Sequence, residues 1–336
     1  MRRLILKRLG LMVVMLVGLA MITFTVANVA PGDPARLAAG PDASQEMVEQ
    51  IRVERGFDRA LPVRFAIYIG NLVQGDLGTS VYTGREVAQD VAIFLPATVE
   101  LVLFSIFIAI VLGVPLGVLA AVWQNKAGDH AIRLLSVSGV ALPMFWLGLM
   151  LQWYLALELG WFPLGGRLGT FDEVPPAITG MISVDALLSG DLSTFGAALN
   201  HMILPATALS FPALAAIIRV NRAEMLEVLG RDYVVNARAQ GIGPIRIIAA
   251  YALKNAILPT LAMIGLRFGW MLGGTVLVES VFDFPGIGLY AAKAAISSDF
   301  EPIMAVTLIL GAAFMLTNLV IDLTYAALDP RVRNQI

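Results

Sequence analysis

The stretch from Arg222 to Pro259 reads RAEMLEVLGRDYVVNARAQGIGPIRIIAAYALKNAILP, and it lies between long apolar segments. Arg219, Arg222, Arg231, Arg238, Arg246 and Lys254 fall in or beside it, so the rule that basic residues stay inside predicts a cytoplasmic segment. Its local chemistry predicts short helices with marked ends. Asp232 is placed to cap a helix over Tyr233 to Gln240. Gly241 suits the left-handed position after the last turn, and Pro244 suits the first position of the next helix. At 1.5 Å per residue the first helix is only about 12 Å long. It is too short to cross a membrane and has the dimensions of a docking knob.

The rest of the chain is largely apolar. The hydrophobic fraction is 58%, the charged fraction 14% and the mean hydropathy +0.80; soluble domains run at about 45–50% and about 25%. These values describe a polytopic membrane protein. With no cysteine and only His130 and His201, disulfides, thiolate zinc sites, cysteine nucleophiles and H-E-x-x-H centres are excluded. A net charge of -2 argues neither for nor against nucleic acid.

Apolar runs of about 20 residues predict six spans, over Leu9–Ala30, Ala97–Trp123, Ile132–Leu159, Ile203–Val220, Ile257–Val278 and Ile303–Leu328. Pro115, Pro143 and Pro205 are expected to be tolerated where neighbouring helices satisfy the freed carbonyls. The first run follows Arg2, Arg3, Lys7 and Arg8; it is long for a signal peptide and reads as an uncleaved span. Basic residues at both ends, at Lys126 and Arg133, and in the central segment place both termini in the cytoplasm. Residues 31–96 are then extracytoplasmic, with turn signals at Pro31-Gly32, Gly40-Pro41 and Gly75-Asp76.

The central stretch resembles the inner-membrane permease subunits of ABC importers, in the dipeptide, oligopeptide and nickel branch and on the side of the first of its two permease chains. The residues that carry the resemblance are Asp232-Tyr233, Ala237-Arg238-Ala239, Gly241, then Ala252-Leu253-Lys254-Asn255-Ala256, Leu258 and Pro259. Val235 and Asn236 depart from the E-A-A start of the broader family. Further matches are Pro31-Gly32-Asp33-Pro34, Gly56-Phe57-Asp58 before Leu61-Pro62, Gly75-Asp76-Leu77-Gly78-Thr79-Ser80, Phe284-Pro285-Gly286-Ile287-Gly288 and Leu328-Asp329-Pro330-Arg331-Val332-Arg333. They cover nearly the whole chain in order.

The resemblance implies an all-α, six-span permease of the type I importer kind that works with a second, related permease, two ATPase subunits and an extracytoplasmic binding protein, surrounded by lipid and without nucleic acid. It implies ATPase coupling through Asp232, Tyr233, Ala237, Arg238, Ala239, Gly241, Asn255 and Pro259. The chain divides accordingly into 1–30 (amino end and first span), 31–96 (extracytoplasmic), 97–328 (five-helix core with the coupling loop 221–256) and 329–336 (cytoplasmic tail). It is not expected to be an enzyme or to hold a cofactor or metal. The signature G-x-x-x-x-G-K-[ST] needs a Gly-Lys pair, and Lys7, Lys126, Lys254 and Lys293 follow Leu, Asn, Leu and Ala. ATP and magnesium would bind on partner subunits. An ion-gradient-driven secondary transporter is the rival reading, and it calls for inverted repeats that the sequence does not display.

Two features belong to the membrane interior. Gly265, Gly269 and Gly273 recur every four residues on the fifth span, which suits close helix packing or a solute path. Arg267 lies among them, where a guanidinium needs water or a carboxylate, from an ion pair or from a substrate. Glu100, Glu158, Glu279 and Asp322 near span ends are expected to be interface anchors or helix-end partners, and His130 and His201 loop-edge residues.

Overall fold

The computed structural model describes residues 2–29, 35–36, 43–54, 56 and 58–328. The phrase Pro31-Gly32-Asp33-Pro34, the turn Gly40-Pro41, Phe57 and the tail 329–336 lie outside the described residues. The elements are α1 (Arg2–Val29), α2 (Gln45–Glu54), α3 (Leu61–Val73), α4 (Val87–Val122), α5 (Ala127–Ala141), α6 (Met144–Glu158), α7 (Ile182–Ser189), α8 (Leu192–Leu229), α9 (Asp232–Ala239), α10 (Pro244–Val281), α11 (Ile287–Ile296) and α12 (Phe300–Leu328). Among the described residues the one strand-like pairing is an isolated bridge between Thr79 and Glu86, so the chain is all-α.

Five helices are long and apolar enough to cross a membrane, and the pair α5 and α6 makes a sixth if counted as one span. That pair departs from the continuous third span expected over Ile132–Leu159. The chain bends by 109° between the two helices. Leu142 ends α5 in extended geometry and Pro143 stands as the cap of α6, because the proline ring disfavours helical geometry in the residue before it and removes one amide donor. Pro205 and Pro212, by contrast, stay inside α8. Several helices also overrun the expected boundaries. At 1.5 Å per residue, the 36 residues of α4 and the 38 of α8 run about 54 and 57 Å, well beyond the roughly 30 Å of a hydrocarbon core.

The chain forms two compact units, residues 1–98 with 285–315 and residues 99–284 with 316–336. In the larger unit α8 is the axis, with α5, α6, α7 and α10 packed along it. Asp191 caps its start, accepting from the Thr194 amide at 3.0 Å. Small residues set the spacing. A Cβ on Gly139 of α5 would come within 2.6 Å of the Ala215 Cβ, and one on Gly113 of α4 within 2.8 Å of Ile217. Packing of this kind replaces the hydrophobic drive that is missing between helices in lipid.

In the smaller unit Phe24 of α1 meets Phe65 and Tyr68 of α3 at ring centroid distances of 5.4 and 5.5 Å. The Gly75–Ser80 phrase is a built turn: Gly75 and Gly78 both have φ of 84°, the Asp76 carboxylate accepts from the Gly78 amide at 2.9 Å, and the Ser80 hydroxyl donates to Asp299 at 2.8 Å. Ile287, Tyr290 and Val306 form its apolar core. His201, expected at a loop edge, is instead buried within α8, its ring against the Ala197 carbonyl at 2.9 Å. Glu279 is fully buried in α10, so it is no interface anchor.

Gly139→Val should lower the unfolding midpoint of the detergent-solubilised protein, since overpacking a close contact costs about 1–3 kcal/mol. Gly273→Ala, whose added Cβ meets nothing within 4 Å, should leave that midpoint nearly unchanged in the same thermal scan.

Candidate functional site

The segment between α8 and α10 is shorter than the sequence suggests, because both flanking helices run into it. Only α9 stands as a separate short helix; the second expected helix is the foot of α10 and continues into the span. Asp232 is not the cap: Arg231 holds the extended capping position without a side-chain hydrogen bond, and Asp232 is the first helical residue. There its carboxylate faces the positive end of the helix dipole. The other end follows the expectation. Gly241 has φ of 77°, its amide donates to the Arg238 carbonyl at 3.0 Å, and the Ile242 amide donates to the Ala237 carbonyl at 3.2 Å. This is the two-bond Schellman closure that a left-handed glycine permits. Gly243 and Pro244 then open α10.

Two faces of α9 differ. Val234 and Ala237 are buried against the protein. Asp232, Tyr233, Val235, Arg238, Ala239 and Gly241 are exposed. Beyond the turn Ile245 is 82% exposed on the foot of α10.

The foot is tied back to α9. The Asn255 amide donates to the Tyr233 hydroxyl at 3.1 Å and to the Tyr251 carbonyl at 2.8 Å, bringing together two residues named from the sequence 22 positions apart. Residues Ile247–Leu253 form a π-helical turn, and Pro259 lies inside the helix just beyond. Ala121, Met225, Ala252 and Ala256 make an apolar cluster between α4, α8 and the foot of α10. Beside it a cavity of about 750 Å³ is lined by Val122, Leu226, Leu229, Arg238 and Ile248 among others.

Deeper supports were not legible in the sequence. Arg222 grips Asp129 of α5 with two hydrogen bonds, at 2.7 and 2.8 Å, and Asp129 also accepts from the Asn125 amide at 2.9 Å. Asn221, fully buried, donates to the Val114 carbonyl at 2.8 Å and accepts from Thr260 at 3.3 Å, which joins α4, α8 and α10. Elsewhere in the unit Glu100, expected near a span end, is instead buried well inside α4, where it accepts from the Ser183 amide at 2.6 Å and pairs with Arg167 at 2.5 Å.

The residues of the fifth span meet different surroundings. Gly265 lets Ile321 of α12 approach to within 2.3 Å of where its Cβ would be, Gly269 is buried, and Gly273 faces open space. Arg267 is half-buried, with a buried Nε that has no hydrogen-bond partner. Among the described residues no cluster of His, Asp or Glu is arranged to hold a metal ion.

Removing one partner of a buried ion pair costs about 3–5 kcal/mol. Asp129→Asn should therefore lower the unfolding midpoint of the purified protein well beyond the effect of Glu227→Gln, which loosens only an exposed pair with Arg231.

Residues 113–334 match the family model described as binding-protein-dependent transport system inner membrane component, and residues 1–102 match the model for the N-terminal part of such membrane components. The chain is 42% identical over 323 residues to the probable D,D-dipeptide transport system permease protein of Escherichia coli K12, covering 96% of this chain and 94% of that protein. It is 37% identical to the dipeptide transport system permease of Alkalihalophilus pseudofirmus, covering 97% and 98%. It is 35% identical to a glutathione transport system permease of Escherichia coli O6:H1, covering 98% of each chain. With both models matched and relatives aligned almost end to end, the chain belongs to the inner membrane components of binding-protein-dependent transport systems, and it is a permease subunit of that family.

Proposed function

We propose that this permease subunit carries peptides or similar small solutes across the inner membrane together with a second, related permease, driven by two ATPase subunits and supplied by an extracytoplasmic binding protein. Relatives named for dipeptide, D,D-dipeptide and glutathione transport support the peptide class. Both termini lie in the cytoplasm in this reading, residues 31–96 outside, the coupling loop 221–256 inside, and the tail 329–336 with it. ATP and magnesium bind on the partners, and this chain contributes the path and the mechanical link.

The observation that carries the reading is the build of α9. A helix of eight residues is seated on the bundle by Val234 and Ala237, closed by a Schellman motif at one end and tied through Tyr233 to Asn255 on its flank. It exposes Tyr233, Val235 and Arg238, with Ile245 beside them. Large apolar side chains at the end of a membrane domain, rimmed by charge, mark a protein contact. Asp232, Tyr233, Arg238, Ala239 and Gly241 form or shape the surface that meets the ATPase. Ala237, Asn255 and Pro259 set how the helix is seated. Closure of the ATPases on ATP displaces α9, and the spans follow, passing the solute from the outside to the inside; Gly265, Gly269 and Gly273 line or pack that route.

Gly241 gives the sharpest test. A β-branched residue is strained at positive φ by about 1–2 kcal/mol, whereas asparagine tolerates that region. Mild extraction of the wild-type complex should bring ATPase subunits with it; Gly241→Val should reduce them about tenfold, and Gly241→Asn should retain most. Wild-type protein that brings no ATPase from the membrane sinks the coupling reading.

A further inference from the structure

The helix α3 has two unlike sides, and neither is fully buried. At about 3.6 residues per turn, Val63, Ala66, Ile67 and Gly70 share one face. The first three are exposed, and a Cβ on Gly70 would meet nothing within 4 Å. Arg64, Tyr68 and Asn71, the polar residues of α3, form a separate row at spacings of four and three. That row lines a cavity of about 770 Å³ together with Asp76, Glu86 and Glu301. The polar side thus has polar company, while the apolar face is open.

The position of α3 is set by α1. The candidate span Arg8–Val29 has 22 residues, or about 33 Å, close to the roughly 30 Å of a hydrocarbon core. Its Val29 end therefore marks a membrane boundary. The contacts with α3 fall there: Phe24 meets the rings of Phe65 and Tyr68, and Arg64 donates to the Asn28 side chain. They occupy one turn of each helix, Phe24–Asn28 and Arg64–Tyr68, so α3 crosses α1 rather than running beside it. Counted along α1, the crossing lies about 2 to 8 Å short of Val29, and amphipathic helices rest about 5–10 Å into the bilayer surface. With 13 residues, α3 is about 20 Å long and too short to span. At the level of the crossing Val26 and Val29 of α1 are exposed and apolar, as a lipid-facing helix requires.

We infer that α3 is an interfacial helix that lies in the bilayer surface at the Val29 end of α1, with Val63, Ala66, Ile67 and Gly70 against lipid and its polar row toward the cavity. The inference rests on the topology proposed above for the choice of leaflet, which is the outer one. Lipid is favoured over a protein partner by the depth of the crossing and by a face that offers neither charge nor hydrogen bond for a soluble partner to recognise. The seat has a structural consequence. The turn Gly75–Ser80 follows α3 directly, and its Thr79 amide donates to Glu301 at the start of α12 at 2.6 Å. Through that turn, a helix fixed in the membrane surface holds the heads of two spans.

The chain has no cysteine, so single cysteines give unique labels. The test uses the whole complex with cysteine-free partner subunits, reconstituted in proteoliposomes of phosphatidylethanolamine and phosphatidylglycerol. Bimane on Val63→Cys, Ala66→Cys and Gly70→Cys should be quenched at least twice as strongly by a lipid carrying its doxyl group near the headgroup as by one carrying it near the chain end. Iodide should quench these labels no more than a third as well as a label on Gln74→Cys, just past the end of α3. Gly70→Cys has open space for its side chain, which keeps one probe free of any folding defect. Iodide quenching equal to that of Gln74→Cys overturns the inference, because the face then stands in water. Quenching by neither lipid nor iodide overturns it as well and assigns the face to a protein partner. Both results leave the topology reading intact. In spheroplasts Gln74→Cys should react with a membrane-impermeant maleimide; reaction only after permeabilisation overturns the outer placement of residues 31–96 and the outer-leaflet seat with it.

Discussion

The larger unit depends on one buried amide. Asn221 sits in α8 with no exposed surface, and its side chain joins the Val114 carbonyl of α4 to the Thr260 hydroxyl of α10. An amide transferred out of water without partners costs several kcal/mol, so the three helices are held at the one level where all these bonds form. The approach requires Gly117, since a Cβ there would come within 2.9 Å of the Asn221 side chain. In an apolar bundle, where packing alone allows helices to slide, this polar pin defines register.

From the pin the structure is built toward α9 by progressively more exposed contacts. One residue along, Arg222 clamps Asp129 at the start of α5, and Asp129 in turn holds Asn125 in its positive-φ turn. Met225, one turn further, joins Ala121, Ala252 and Ala256 in the apolar cluster. Thus the three elements that frame α9 are fixed to one another before α9 begins. The short helix adds only Val234 and Ala237 to the buried surface, and its remaining side chains stay exposed, Tyr233 with its hydroxyl tied to Asn255.

The sequence was most readable where the constraint is local. Gly241 and Pro244 could be placed because a left-handed residue and a helix start each impose a requirement on a single position, and both were found as expected. Asp232 was misplaced by one residue because Arg231 takes the extended cap conformation without needing a side-chain acceptor. Proline was readable only in part. Pro143 opens a new helix after a break while Pro205 and Pro212 stay inside one, so the residue type alone did not decide the outcome. The ion pairs Asp129–Arg222 and Glu100–Arg167 join residues 93 and 67 positions apart. Nothing in the spacing of a single chain foretells such a pairing, although each charge on its own was visible.

The backbone below the pin is irregular in a way that bears on coupling. Between α9 and Thr260 the helix contains a π-helical turn at Ile247–Leu253 and a proline at 259, which cannot donate to the Asn255 carbonyl. Beyond Thr260 the helix runs without a further proline or π turn to Val281. If an ATPase displaces α9, the Tyr233–Asn255 tie delivers the force to this irregular foot, where the missing and shifted hydrogen bonds leave the backbone easiest to bend. The regular part above can then move only as a rod about the Asn221–Thr260 contact. On that geometry a small lateral shift at α9 becomes a tilt of the span that carries Arg267, and the lever arm is the stretch of α10 on either side of one hydrogen bond.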